Sequence, residues 1–210
     1  MNRNAFLAAA AVSAAAPTAV AAVGTTLPTG PFDRAAFEAD LNRPARHRQV
    51  FAATWLDQGS VLGSMQNSLD GYAKGYGDGP GTLHVAAVSY GFSLVMFLQE
   101  AMWVKYRIRE GLGELPKPDA IRYPPAPPEN PYTAQIAALV GAGASFFICD
   151  HAFHGVTRTL ARLAGFDAAR ADAAYDDCLA HLAYGMLVPA GPVALNAAQE
   201  AHFTFFQQTL

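Results

Sequence analysis

The run Ser145-Phe146-Phe147-Ile148-Cys149, followed by Asp150-His151-Ala152-Phe153-His154, decides the fold class. Between Ser145 and the thiol the run is apolar without alternation, which predicts a strand covered on both faces, as in a parallel sheet. Helical material follows to about His181, with a break at Gly165-Phe166-Asp167 where Asp167 can cap the second piece. A buried strand that leads directly into a helix is typical of a parallel α/β fold.

The rest of the chain repeats this alternation of strands and helices. Further strands are predicted at residues 50–55, 83–90, 186–189 and 203–206. Helical spacing of apolar residues predicts helices at 61–72, 94–108, 136–140 and 193–198. We therefore predict an α/β fold, a three-layer sandwich with a mainly parallel sheet of about five strands.

Composition narrows the class of protein. The chain has 210 residues, of which 52% are hydrophobic and 15% charged, so a sizeable core is expected and wholesale disorder is excluded. The formal net charge is −3 and no basic stripe follows a face of any element, which excludes nucleic acid as an expected partner. This length fits one domain, which we place at residues 46–210 after a linker at 23–45.

The first 22 residues have the composition of a signal peptide. One charge, Arg3, precedes a small apolar run, and small residues suit a cleavage site near Ala22. The alternative is a retained membrane anchor, but Pro17 and the many alanines disfavour stable membrane insertion. We expect a periplasmic or secreted protein. Arg3-Asn4-Ala5-Phe6-Leu7 resembles a twin-arginine motif with one arginine replaced, so both that route and Sec stay open.

A proline-rich stretch interrupts the alternation between the second and third predicted strands. Seven prolines fall within residues 111–131, which predicts an irregular excursion. Asn130-Pro131 at its end fits a helix N-cap followed by proline in the first turn.

Four local motifs, taken in order, are similar to those of the DsrE/DsrF-like sulfur-transfer family. They are Leu62-Gly63-Ser64-Met65-Gln66-Asn67; Ser89-Tyr90-Gly91; the strand ending in Cys149; and Val188-Pro189-Ala190-Gly191-Pro192-Val193 with Gln199. The resemblance covers about residues 47–208. It implies a flavodoxin-like sandwich, a homo-oligomer (trimer or hexamer) and a persulfide-bearing cysteine at the position of Cys149. Two features depart from the family: the export leader, because the sulfur-relay members are cytoplasmic, and the run Cys149-Asp150-His151-Ala152-Phe153-His154-Gly155.

The residues around Cys149 leave three interpretations open. A cysteine that ends a parallel strand and precedes a helix N-terminus lies where ligands bind and where its thiolate is favoured, and His151 or His154 can supply positive charge or move a proton. Alternatively Cys149 is structural, either buried or bonded to Cys178. The third interpretation is a zinc or copper site on Cys149, His151 and His154.

Three more residues are candidates for lining a ligand site. Tyr90 closes the second predicted strand, Asn67 lies in the first predicted helix of the domain, and Asp150 follows Cys149. The chain has no Gly-x-Gly-x-x-Gly, Walker, Gly-x-Ser-x-Gly or His-Glu-x-x-His motif. The sequence therefore predicts an exported domain that handles sulfur or small thiols through Cys149, or else a non-catalytic module that binds a metal or small ligand there.

Overall fold

The computed structural model describes residues 29–115 and 129–207. The strands are β1 His47–Ala53, β2 Leu83–Ser89, β3 Ser145–Cys149, β4 Met186–Val188 and β5 Thr204–Gln207. The α-helices are α1 Arg34–Leu41, α2 Ser60–Tyr76, α3 Glu100–Lys105, α4 Ile108–Glu114, α5 Thr133–Gly141, α6 Asp150–Leu163, α7 Ala168–Ala180 and α8 Gly191–Glu200. The predicted leader at residues 1–22 lies outside the described residues. Within the described ranges, no helix has the length and apolar character needed to cross a membrane.

The five strands form one sheet in the order β4-β3-β2-β1-β5, and every neighbouring pair is parallel. Helices cover both faces of this sheet. The predicted fold class, an α/β three-layer sandwich with a parallel, flavodoxin-like sheet of about five strands, is confirmed.

The two helical layers are unequal, and the strand order explains why. The connections from β1 to β2, from β2 to β3 and from β3 to β4 all run in the same direction across the sheet. Because such crossovers are right-handed, α2 to α7 lie on one face. The connection from β4 to β5 steps back past β1, which puts α8 on the other face beside α1. We call the layer of α2 to α7 the thick layer and the layer of α1 and α8 the thin layer. Side chains alternate along β3, so that Phe146 and Ile148 face the thick layer and Phe147 faces the thin layer.

The prediction of a single helix at residues 94–108 is wrong. The segment forms a 3-10 helix at Gly91–Phe97, an extended Leu98, the short α3 and, after a left-handed Arg107, the start of α4. Residues 94–98 are at most 1% exposed, so this stretch has no polar face and packs in the core on all sides. Leu98 instead pairs with Leu182, and the Trp103 indole N–H donates to the carbonyl of Val95 at 3.0 Å.

Part of the segment assigned as a linker, residues 23–45, is also helical. Asp33 caps α1 by accepting a hydrogen bond from the backbone N–H of Ala36. Phe37 and Leu41, one turn apart, are buried against the thin-layer face of the sheet. This capping residue and the spacing of Phe37 and Leu41 are visible in the sequence and could have identified the helix.

Asn130 does not cap α5 as predicted, because the helix begins at Thr133 with Tyr132 as its N-cap. The buried Asn130 amide donates to the carbonyls of Met96 and Leu98, at 2.7 and 2.8 Å. Its side-chain oxygen accepts from the backbone N–H of Tyr132 at 2.9 Å. Asn130 therefore ties the chain entering α5 to the segment that follows β2.

A buried polar cluster joins α1 to the amino end of the sheet. The His84 Nε2 atom lies 3.0 Å from Ser145 Oγ and 3.4 Å from Asp40 Oδ2, and all three residues are at most 5% exposed. Burial lowers the pKa of His84 below its ordinary value of 6.5 and outweighs the opposing effect of the Asp40 carboxylate. His84 is therefore neutral in the folded chain at neutral pH.

This cluster predicts that the protein loses stability on mild acidification. Below pH 6.5 the unfolded chain protonates His84 while the folded chain resists, so the free energy of unfolding falls as the pH drops from 7 towards 5. One such group contributes at most about 1.4 kcal/mol per pH unit.

Urea denaturation across this range should show a smaller pH slope for His84→Gln than for wild type. His202→Asn, at an exposed left-handed position that asparagine tolerates, is the control and should keep the wild-type slope. If the unfolding free energy of His84→Gln varied with pH as steeply as that of wild type, the lowered pKa of His84 would not be the cause of the pH dependence.

Candidate functional site

Cys149 ends β3 and caps α6. Its Cα pairs in register with that of Val188 at the end of β4. Its Sγ atom accepts a hydrogen bond from the backbone N–H of Ala152 at 3.4 Å, so the sulfur takes the place of an oxygen at the N-cap. The residue is 5% exposed and free of any disulfide.

The carboxyl ends of β3 and β4 form the topological switch point of the sheet. The chain leaves β3 into α6 on the thick-layer face, and it leaves the neighbouring β4 into α8 on the opposite face. In open parallel sheets, ligands bind in the crevice that such diverging connections leave. Both helices present their N-termini at this edge, which favours negative charge there.

Tyr90 lies at the same edge, one residue beyond β2. Because Ser89 pairs in register with Ile148, Tyr90 is level with Cys149. The ring packs against Gly191 at the start of α8 so closely that a Cβ there would lie 3.1 Å from Tyr90 Cδ1. Tyr90 therefore extends from β2 to the β4–α8 connection, past the end of β3.

The side chain of Asp150, the residue after Cys149, is bonded to α7. Its Oδ1 atom accepts a hydrogen bond from the Tyr175 hydroxyl at 2.8 Å. Burial, together with that hydrogen bond to Asp150, raises the pKa of Tyr175 to about 12, so the phenol stays protonated as the donor. The ring of His154 stacks parallel on that of Tyr175, with centroids 3.5 Å apart.

Tyr175 is the residue that sequence reasoning missed. Its position in the run Tyr175-Asp176-Asp177 carries no motif, and only the antiparallel packing of α6 and α7 brings it to Asp150 and His154. A hydrogen bond and a ring stack on one side chain fix the first turn of α6 relative to α7.

Two other predicted site residues, His151 and Asn67, are not part of the cluster formed by Asp150, His154 and Tyr175. His151 is exposed on α6, and Asn67 is exposed in the middle of α2, about 10 Å along that helix from its start. Among the described residues, no three His, Cys, Asp or Glu side chains are grouped so that they could hold a metal ion. The residues therefore do not fit the zinc or copper site predicted on Cys149, His151 and His154.

Cys178 is the second cysteine and is also free, so the structure has no Cys149–Cys178 disulfide. It faces the core from α7 and is 2% exposed. Burial raises the pKa of this thiol to about 12, a value at which the reactive thiolate is scarce near neutral pH.

Comparison with known proteins assigns no family. No family model matches the chain, and no curated protein matches it. Among solved structures it is similar to a protein of unknown function, MTH1491 from Methanobacterium thermoautotrophicum, at 15% identity and a TM-score of 0.43. The match covers 77% of this chain and 99% of the other. A likeness of this size carries no argument about activity.

Proposed function

We propose that Cys149 is the nucleophile of this domain and that it carries sulfane sulfur as a persulfide. The observation that carries the proposal is the position of the Cys149 sulfur at the N-cap of α6, at the switch point between β3 and β4. A helix N-terminus stabilises an anion, and the thiolate is the form of cysteine that attacks sulfur. The resemblance of the surrounding motifs to the DsrE/DsrF-like family supports the same role.

The proposed reaction is a transfer between sulfur atoms. The Cys149 thiolate attacks the outer sulfur of a polysulfide or a small persulfide. A new S–S bond forms on Cys149 as the donor's own S–S bond breaks, and the electron pair leaves with the rest of the donor, a polysulfide one sulfur shorter or a thiolate. An acceptor thiolate then takes the outer sulfur by the same displacement, which restores the Cys149 thiolate, so the cycle needs no external oxidant or reductant.

The surroundings of Cys149 set conditions on this chemistry. The residue is only 5% exposed, so the expected donors and acceptors are small molecules. The Tyr175 hydroxyl donates to the Asp150 carboxylate, which offsets part of the negative charge on the residue next to Cys149. The N-terminus of α8, against which Tyr90 packs, adds a second site of partial positive charge for an anionic donor.

The sequence adds two expectations about where and how this domain works. We propose that residues 1–22 direct export and that sulfur handling takes place in the periplasm or outside the cell. We also propose a homo-oligomer on the strength of the family resemblance. The alternative, a non-catalytic module that binds zinc or copper, has no comparable support in the grouping of side chains.

Intact-mass measurement after treatment with inorganic polysulfide tests the proposal. We expect wild type to gain one sulfur atom per chain, which a small thiol then removes. Cys149→Ser should gain none, while Cys178→Ser should behave as wild type because that thiol is buried with a raised pKa. Folding of each variant is checked by its thermal transition. Absence of the adduct in wild type, or its persistence in Cys149→Ser, would overturn the proposal.

A further inference from the structure

A cavity of about 320 Å³ lies between α3 and α7, and Cys149 is not among its lining residues. Its volume is at the lower end of the range typical of small-molecule sites, and suits a ligand of one or two rings. The lining side chains are Lys105, Tyr106, Phe166, Arg170, Ala173 and Asp177.

One half of the cavity is aromatic and apolar. The rings of Tyr106 and Phe166 meet edge to face, with centroids 5.4 Å apart and an angle of 80° between their planes. Ala173 of α7 also lines the cavity and has only a methyl group there. A flat ring can enter this space and pack against the two aromatic side chains.

The other half carries an excess of positive charge. Asp177 is already satisfied, since its Oδ2 atom lies 2.8 Å from Lys105 Nζ and accepts the Tyr106 hydroxyl at 2.6 Å. Arg170 is exposed, its backbone N–H donates to Asp167, and its guanidinium forms no hydrogen bond or ion pair with the other described residues. Arg170 and Ala173 are three residues apart on one face of α7, and both line the cavity.

We propose that this cavity binds a small aromatic carboxylate. The ring lies against Tyr106 and Phe166 over Ala173, and the carboxylate pairs with the guanidinium of Arg170. The planar fork of a guanidinium donates two parallel hydrogen bonds to a carboxylate, a geometry that a neutral or cationic ligand does not use. The site shares no lining residue with the edge at Cys149, so it is independent of the sulfur chemistry proposed above.

Calorimetric titration of the folded protein with naphthoate tests this site, with naphthamide as the neutral probe of the same shape. We expect saturable naphthoate binding that is at least tenfold tighter than naphthamide binding. Arg170→Gln should weaken naphthoate binding about tenfold by removing the charge. Ala173→Leu should weaken it at least as much by filling the space. Both positions are exposed on a helix, so both variants are expected to fold.

The chain offers matched controls for both substitutions. Arg162→Gln at the end of α6 and Ala169→Leu in the first turn of α7 change exposed residues that do not line the cavity, and should bind naphthoate within twofold of wild type. The proposal is overturned if wild type shows no saturable binding, or if Arg170→Gln and Ala173→Leu bind as tightly as wild type. Equal affinity for naphthamide overturns the assignment of a carboxylate.

Discussion

Replacing Gly91 with alanine is expected to lower the free energy of unfolding by about 3 kcal/mol. Gly91 follows Tyr90 with a φ of +74°, a left-handed conformation that costs other residues about 1–2 kcal/mol. An added Cβ would also lie 2.8 Å from the carbonyl oxygen of Thr54, which is backbone and cannot swing aside. That carbonyl accepts the N–H of Ser93 at 3.1 Å, so relieving the clash would disturb the joint between the ends of β1 and β2.

The same substitution elsewhere gives the matched control. Gly155 lies inside α6 with no atom within 4 Å of an added Cβ and no positive φ. Gly155→Ala should therefore raise stability by about 0.5–1 kcal/mol. Chemical denaturation of both variants measures the two effects. A Gly91→Ala protein as stable as wild type would show that the backbone at the end of β2 is not held as described.

Replacing Asn130 with leucine is expected to cost about 3 kcal/mol, because it removes three hydrogen bonds at once. The carbonyls of Met96 and Leu98 lose their donor, and the backbone N–H of Tyr132 loses its acceptor. Since Asn130 is 9% exposed, water cannot freely replace the lost partners. Each unsatisfied buried group costs about 1–3 kcal/mol.

Asn196 provides the control for Asn130. It is exposed on α8, and among the described residues its side chain bonds only to the Glu200 side chain one turn away, so Asn196→Leu should change stability by less than about 0.5 kcal/mol. Asn130→Asp tests the two donated hydrogen bonds apart from the accepted one. Aspartate keeps an oxygen that can accept from Tyr132, but it places a carboxylate oxygen opposite the two carbonyls. If urea denaturation gave Asn130→Leu the stability of Asn196→Leu, the three bonds would contribute little.

Local composition was sufficient to predict most of the sheet. The β3 boundaries at Ser145 and Cys149 match the prediction. An unbroken apolar run between a glycine-rich turn and a charged helix start is typical of a strand that is buried on both faces. The break at Gly165 and the cap at Asp167 were predicted for a similar local reason.

Long-range packing explains the errors. The helical spacing at residues 94–108 is real, but neighbouring elements bury residues 94–98 on every side and stabilise a 3-10 helix in place of a regular α-helix. Asn130 has the local pattern of an N-cap, yet the carbonyls it bonds lie more than 30 residues earlier in the chain. Neither outcome follows from the residues nearby.

The sequence by itself therefore determined a parallel α/β sandwich and a cysteine at the end of a buried strand, since both follow from the apolar pattern of short segments. Only the tertiary structure decided that this strand borders the switch point, because that depends on which face each crossover takes. It also decided that Cys149 is nearly covered, that Tyr175 bonds to Asp150, and that no metal-binding group forms among the described residues. These features depend on contacts between elements far apart in the chain, which no local pattern encodes.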